Sequence, residues 1–193
     1  MKPEILIAMG SPRKNGNTAT LAAKLSEGAQ AAGATVETLY LNGMNTRPCQ
    51  SCYKCKEADA DNCVLDDDMR QVYPLLREAK ALVIASPVYW FNMSAQTRLF
   101  IDRLLPVGTG PHKVLDKKHF GLLMSFGGAD AVDSGAINAL RSFQDMCSYL
   151  GASIAGVAYG TATEAGEIKE NEQLMARVYA LGKKMAVLPV QES

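Results

Sequence analysis

Three stretches carry residue types whose spacing could do chemistry. In the first, Cys49, Cys52, Cys55 and Cys63 crowd into one short window, while Cys147 stands alone. Thiols spaced Cys-x-x-Cys-x-x-Cys in a reducing compartment point to metal or redox chemistry rather than to a disulfide framework. The second stretch is Gly10-Ser11-Pro12-Arg13-Lys14-Asn15-Gly16-Asn17-Thr18, between an apolar run and a helical pattern. Free amides and the dipole at a helix start favour an anion. Ser11 and Thr18 add hydroxyls, Arg13 adds a planar fork that matches phosphate, and Gly16 lets a ligand approach the backbone. A nucleotide P-loop needs four residues between its glycines and then Lys, and a dinucleotide fingerprint needs Gly-x-Gly-x-x-Gly. Neither is present, so a terminal monophosphate is the better guest. A plain strand-to-helix turn rich in capping residues is the competing reading.

The third stretch is Ser86-Pro87-Val88-Tyr89-Trp90-Phe91-Asn92-Met93-Ser94. Connecting loops are normally polar, and three adjacent aromatics suggest the wall of a flat apolar ring site. A subunit interface enriched in Tyr, Trp and Phe explains them equally well, and both hold if the ring lies at a dimer contact. Phe126-Gly127-Gly128 would supply a further wall, or only a turn.

The elements that would position these stretches alternate strand and helix. Apolar runs predict strands at Ile5–Met9, Val36–Leu41, Ala81–Ala85, Phe120–Phe126 and Ser153–Ala158. Between them, apolar residues fall at helical spacing: Leu21, Ala22, Leu25 and Ala29; Met69, Val72, Tyr73 and Leu76; Thr97, Phe100, Ile101 and Leu104; Leu140, Phe143, Cys147 and Leu150; Leu174, Val178, Leu181 and Met185. Gly33 would stop the first helix. Asp66–Asp68 would open the second, where acidic side chains suit the dipole, rather than form a cation site. Residues 42–65 form a long loop that holds the cysteines, and Ser86–Asn92 is predicted to be loop as well. Five strands alternating with five helices argue for a doubly wound α/β/α sandwich with a five-stranded parallel sheet in the order 2-1-3-4-5, the flavodoxin-like arrangement. Its ligand belongs outside the carboxyl ends of the strands, at the switch between strands 1 and 3. The loops after strands 1, 3 and 4 are the stretches described above. The cysteine loop follows strand 2 and is expected at the same end of the sheet.

The 193 residues are expected to form a single domain. Twenty basic and twenty acidic side chains balance, with 48% hydrophobic and 21% charged residues. With no run of like charge, neither nucleic acid nor a membrane surface is an expected partner. Ile5–Met9 is too short for a secretory signal, and no run reaches the ~18–20 apolar residues of a membrane span. A cytoplasmic protein is expected. His112 and His119 lack partners at ligand spacing and are expected at the surface. Cys147, on an apolar helix face, is expected to be a buried, inert thiol.

The motifs Gly-Ser-Pro-Arg-x-x-Gly-Asn-Thr, the cysteine-rich loop, Ser-Pro-Val-Tyr-Trp and the helix with Phe100-Ile101-Asp102-Arg103 occur in this order over nearly the whole chain. Together they resemble the flavodoxin-fold NAD(P)H-dependent FMN reductase superfamily, and in particular its iron–sulfur flavoprotein branch. The resemblance implies an FMN whose phosphate meets Ser11, Arg13, Gly16, Asn17 and Thr18. Its ring would meet Pro87, Val88, Tyr89, Trp90, Asn92, Gly127 and Gly128. It also implies a homodimer or homotetramer with flavins near the subunit contacts.

Iron–sulfur cubanes take four thiolates from such closely spaced runs, and by the resemblance Cys49, Cys52, Cys55 and Cys63 would ligate a 4Fe-4S cluster. Zinc, which usually takes two separated Cys-x-x-Cys pairs, and an unmetallated loop are the alternatives. The flavin would do the chemistry, so no side-chain acid or base is nominated as catalytic. Three functions follow. One is an electron relay between FMN and a cluster, fed by ferredoxin or a similar donor. The second is an NAD(P)H-dependent flavin or quinone reductase with a vestigial cysteine loop. The third is a thiol or zinc interaction module without flavin.

Overall fold

The structure, a computed structural model, describes residues 2–58, 60 and 62–189. Five parallel strands make the main sheet: β1 (Ile5–Met9), β2 (Val36–Tyr40), β3 (Ala81–Tyr89), β5 (His119–Phe126) and β6 (Ser153–Thr161), in the order β2-β1-β3-β5-β6. This is the expected 2-1-3-4-5 order. A two-residue strand, β4 (Asn92–Met93), pairs antiparallel with the end of β3.

Alternate residues of each central strand enter opposite cores, as the pleat demands. Leu6, Ala8, Leu82, Ile84, Leu122 and Met124 face one side. They pack under α2 (Met69–Glu78), α3 (Ala95–Asp102), the single turn α4 (Leu105–Gly108) and α5 (Ala136–Leu150). Ile5, Ile7, Met9, Val83 and Ala85 face the other, under α1 (Asn17–Ala31) and α6 (Glu172–Val187). Edge strand β2 is only partly buried, which explains its mixed composition. On the second side α1 and α6 touch backbone to backbone. A Cβ on Gly182 would stand 2.0 Å from the Leu25 carbonyl oxygen, and one on Gly28 would stand 2.1 Å from that of Tyr179.

Several expectations need correction. β3 continues to Tyr89, so Ser86–Tyr89 is strand rather than loop. Beyond the end of β1, Pro87 has no neighbour on that side to miss its N–H, which is where a sheet tolerates proline. β6 runs three residues past Ala158. Of the two histidines, His112 is exposed, but His119 is buried at the first position of β5. Its ring nitrogens lie 2.6 Å from the Ser153 hydroxyl and 2.8 Å from the Pro189 carbonyl. Cys147 is buried as expected, and burial pushes its thiol up to about 12.

Candidate functional site

The first loop is set by a buried hydroxyl cluster where β1, β3 and α3 meet. The Gly10 amide donates to the Ala85 carbonyl at 2.7 Å, and the Ser94 hydroxyl donates to the Gly10 carbonyl at 2.8 Å. Thr97 Oγ1 lies 2.9 Å from the Ser94 hydroxyl and 3.0 Å from that of Ser86. Ser86, Ser94 and Thr97 are fully buried. A Cβ at Gly10 would sit 1.8 Å from Thr97 Oγ1, so this approach requires glycine.

Chain leaving that cluster edges a cleft of about 260 Å³ lined by Ser11, Arg13, Gly16, Asn17, Thr18, Pro87, Val88, Tyr89, Ser125, Phe126, Gly127, Ala162 and Thr163. Gly16 is the N-cap of α1 and offers no side-chain acceptor, and the first turn holds no acidic residue. The opening amides of α1 are therefore left for a ligand. Ser11 Oγ accepts from the Arg13 amide at 3.2 Å, which folds the loop back on itself. Arg13 stands exposed at the rim. Thr18 Oγ1 lies 2.8 Å from Ser125 Oγ at the buried floor.

Asn17 has a different occupation. Its amide donates to the carbonyls of Ala162 and Glu164 at 3.3 and 2.9 Å, and its oxygen accepts from the Ile168 amide at 3.2 Å. It ties the start of α1 to the segment after β6, and its side-chain oxygen and nitrogen are spent on backbone. The same segment is pinned by Glu167, whose carboxylate accepts from the amides of Thr163 and Glu164 at 2.6 and 2.8 Å. Those amides hold its carboxyl below the usual carboxylate range.

At the other end, β3 and β4 form a hairpin whose turn residues, Trp90 and Phe91, have φ of 48° and 63°. Two successive left-handed residues match the twist of a two-residue hairpin, but side chains there store strain. The tip is held by packing of Phe91 on Gly135 and by Asn138, which donates to the Phe91 carbonyl at 3.2 Å. A second hollow, lined by Val88, Trp90, Phe91, Phe126, Gly127, Gly128, Asp133 and Ser134, shares Val88, Phe126 and Gly127 with the first. The structure thus joins the two loops in one trough, polar at the α1 end and aromatic at the hairpin. Asn92 lines neither hollow; its side-chain oxygen accepts from the Met93 amide at 2.8 Å.

The four clustered cysteines line a single small pocket with Tyr53, Asp102, Arg103, Leu105 and Pro106. All four are free thiols, with Cys55 buried and Cys52 exposed. Burial, then the neighbouring Cys63, pushes the Cys55 thiol up; Cys52 and Cys49 add to this. The pocket shares no residue with the trough. Although its loop leaves the sheet at the trough end, where Gln96 donates to Asn42 at 3.0 Å, it runs along α3 to that helix's far end. Eight residues at ~1.5 Å each make this about 12 Å. The loop thus starts at the trough end of the sheet, while the pocket its cysteines line lies by the last residues of α3.

Two features of this region escape sequence reading. Arg103 and Asp67 form a buried two-pronged ion pair, with Nη1–Oδ2 at 2.5 Å and Nη2–Oδ1 at 3.1 Å and side chains 1% and 0% exposed. Nη1 also donates to the Arg47 carbonyl at 2.6 Å. The triplet Asp66–Asp68 thus does more than open a helix: Asp66 pairs with Arg70 at 3.0 Å, and Asp68 accepts from the Asn45 amide at 2.7 Å. In the trough, Ser125, Ala162 and Thr163 were missed as lining residues, while Phe126 takes its expected place in the wall. A lone serine near the end of apolar β5 was a usable signal. Ala162 and Thr163 gave none, because β6 outruns its apolar stretch.

A doubly wound α/β sheet with an anion-ready first loop and an aromatic trough at its switch point defines a flavodoxin-like class of protein. The family model for NADPH-dependent FMN reductase matches residues 3–165, and the chain belongs to that family. It is a flavin-dependent oxidoreductase of an FMN-binding, NAD(P)H-dependent family. An iron-sulfur flavoprotein of Archaeoglobus fulgidus is 30% identical over 178 residues, covering 92% of this chain and 76% of that protein. The putative NAD(P)H-dependent FMN-containing oxidoreductase YwqN of Bacillus subtilis is 26% identical over 184 residues, covering 94% and 97%. In fold, the chain is similar to the NAD(P)H:quinone oxidoreductase from Methanothermobacter marburgensis, with a TM-score of 0.75 at 19% identity over 98% of this chain and 100% of that one. Among the described residues no helix is long and apolar enough to cross a membrane.

Proposed function

We propose that the trough holds FMN, with its phosphate at the start of α1 and its ring along the β3–β4 hairpin, and that electrons pass between this flavin and an iron–sulfur cluster in the cysteine pocket. The observation that carries the flavin site is the uncapped start of α1 beside Arg13, continuous with an aromatic wall. Bound there, FMN supplies hydride acceptance and single-electron release. The chain's own part is orientation and electrostatics. The α1 amides, Ser11, Thr18 and Arg13 hold the phosphate, Val88, Phe126 and Gly127 flank the ring, and Tyr89 and Trp90 cover its open side. The exposed aromatic hairpin, with Trp90 93% exposed, suits a homo-oligomer in which a second subunit completes the ring site.

Four free thiols around one pocket that Arg103 also lines supply the donor set of a 4Fe-4S cluster. The archaeal relative's name points the same way. The pocket itself is only about 20 Å³, and among the described residues no three candidate ligands stand close enough for a single metal ion. That collapse favours a second reading, an NAD(P)H-dependent flavin or quinone reductase whose cysteine loop is empty. On the first reading the loop spreads around its cluster, and a donor such as ferredoxin delivers electrons there.

Arg13→Ala tests the flavin site. Losing a charge-assisted contact of ~1.5 kcal/mol should weaken FMN binding about tenfold at low salt, while riboflavin, which lacks the phosphate, binds as before. Equal weakening of both ligands by fluorescence titration would count against this orientation.

A further inference from the structure

Strand β5 is buried along its whole length, and its side chains alternate between the two cores. Leu122, Met124 and Phe126 enter the core under α2 to α5, so Ser125 shares with Leu123 the side that faces α1 and α6. Ser125 is 6% exposed, and its lateral neighbours in the sheet, Pro87 and Gly160, offer it no polar side chain. A hydroxyl in such a place is costly unless it is hydrogen-bonded. Its partner is Thr18 Oγ1 at 2.8 Å, on a residue only 2% exposed. Thr20, two residues further along α1, donates its hydroxyl to the Gly16 carbonyl at 3.2 Å, whereas that of Thr18 meets the sheet. Two facing hydroxyls carry two protons. One lies between the oxygens, and the other has no acceptor among the described residues. Both side chains line the cleft where the amides of α1 stand uncapped, and no Asp or Glu lines it. The spare O–H is therefore left for an acceptor that a ligand brings.

We propose that Ser125 and Thr18 form a hydroxyl relay: Ser125 donates to Thr18 Oγ1, and Thr18 donates to an oxygen of the FMN phosphate. The inference rests on the flavin reading given above. Thr18 takes the outer place because it stands in the first turn of α1, among the amides open to the anion, while Ser125 lies on the neighbouring strand. A hydroxyl that accepts one hydrogen bond is a stronger donor of the next, and an ionised acceptor strengthens the contact again. Ser125 also fixes the direction in which the Thr18 hydroxyl points. It is thus a positioning residue, which acts on the phosphate through Thr18 and leaves the flavin ring to the hairpin.

The test uses the full chain, stripped of flavin and titrated with FMN and with riboflavin by flavin fluorescence. Ser125→Ala should weaken FMN binding about fivefold, the usual effect of one lost hydrogen bond, and leave riboflavin binding unchanged. Thr18→Val should weaken FMN at least as much. The double variant should bind FMN no more weakly than Thr18→Val alone, because the two hydroxyls act as one unit. Unchanged FMN binding in Ser125→Ala overturns the inference. So does equal weakening of both ligands, which marks a purely structural serine, and so do losses that simply add in the double variant. Should the variants fail to fold, the wild type decides: in a ¹H–³¹P correlation spectrum the bound phosphate should couple to the Thr18 hydroxyl proton. Coupling to the Ser125 proton instead, or to neither, overturns the relay. A wild-type chain that binds FMN no more tightly than riboflavin sinks the phosphate site itself, a different failure from a preference for FMN that Ser125→Ala leaves intact.

Discussion

At the scale of single residues, the costliest arrangement is the buried ion pair of Asp67 and Arg103. Two charges removed from water are stable only when each satisfies the other, and deleting one partner strands the second. Asp67 also accepts from the Arg47 and Met69 amides at 3.0 and 3.1 Å, so its carboxylate organises both the loop and the start of α2. Asp67→Asn is expected to destabilise the fold by ~3–5 kcal/mol, read from the urea midpoint. Burial alone would raise the pKa of this carboxyl, but the Arg103 hydrogen bond and the Arg47 amide outweigh it and hold it below its ordinary value. A folded pKa below the unfolded ~3.9 means that the pair's stabilisation is fully present above pH ~4 and is lost as pH falls through the folded value. The wild type should therefore lose stability more steeply than Asp67→Asn on acidification below pH ~4, with urea midpoints at each pH as the measurement.

At the scale of elements, the sandwich depends on how closely α1 and α6 approach. Gly28 and Gly182 face backbone of the opposite helix at distances no side chain tolerates. Gly182→Ala must push α6 off α1, at ~1–3 kcal/mol by the usual cost of overpacking. For a chain of this size that lowers Tm by roughly 2–4 °C per kcal/mol. Calorimetry should show the drop, whereas alanine at Gly43, where a Cβ would meet nothing within 4 Å, should leave Tm nearly unchanged. Apolar runs and helical stripes made these elements and their order legible from the sequence. Their ends were less so. Pro87 and the polar residues after Ala158 read as loop, because propensity does not register that a neighbouring strand has already ended. The trough was legible where residue chemistry is local, as in the Gly10–Thr18 loop. Its other wall depends on pairings across the sheet, and the Asp67–Arg103 pair spans thirty-six residues with no periodicity to announce it. His119 misled because it stands beside a loop with no partner at ligand spacing, whereas its partners, Ser153 and Pro189, come from distant chain.

At the scale of the whole molecule, the trough and the cysteine pocket are separate devices on one scaffold. The trough is built from strand ends and the start of α1, while the pocket hangs on the end of α3 and on α4, and the two have no lining residue in common. What joins them is α3, which begins at the Ser94 hydroxyl under the Gly10–Thr18 loop and ends at Arg103 under the thiols. If the pocket carries a cluster, losing its ligands should leave the Gly10–Thr18 loop, the hairpin and their hydroxyl cluster as they are. Cys52→Ser with Cys55→Ser is therefore expected to abolish bound iron and sulfide while flavin content stays at one per chain. The FMN dissociation constant should change by less than about threefold, since surface-loop changes remote from a site are worth only ~0.5 kcal/mol. Reduction of the flavin by NAD(P)H should survive in that variant if nicotinamide delivers electrons directly to the trough. It should be absent from both proteins if the donor delivers them only through the pocket. Stopped-flow bleaching of the flavin, run with NADPH and with a one-electron donor in parallel, separates the two routes. Loss of flavin together with iron would mean that the scaffold couples sites which the geometry of α3 keeps apart.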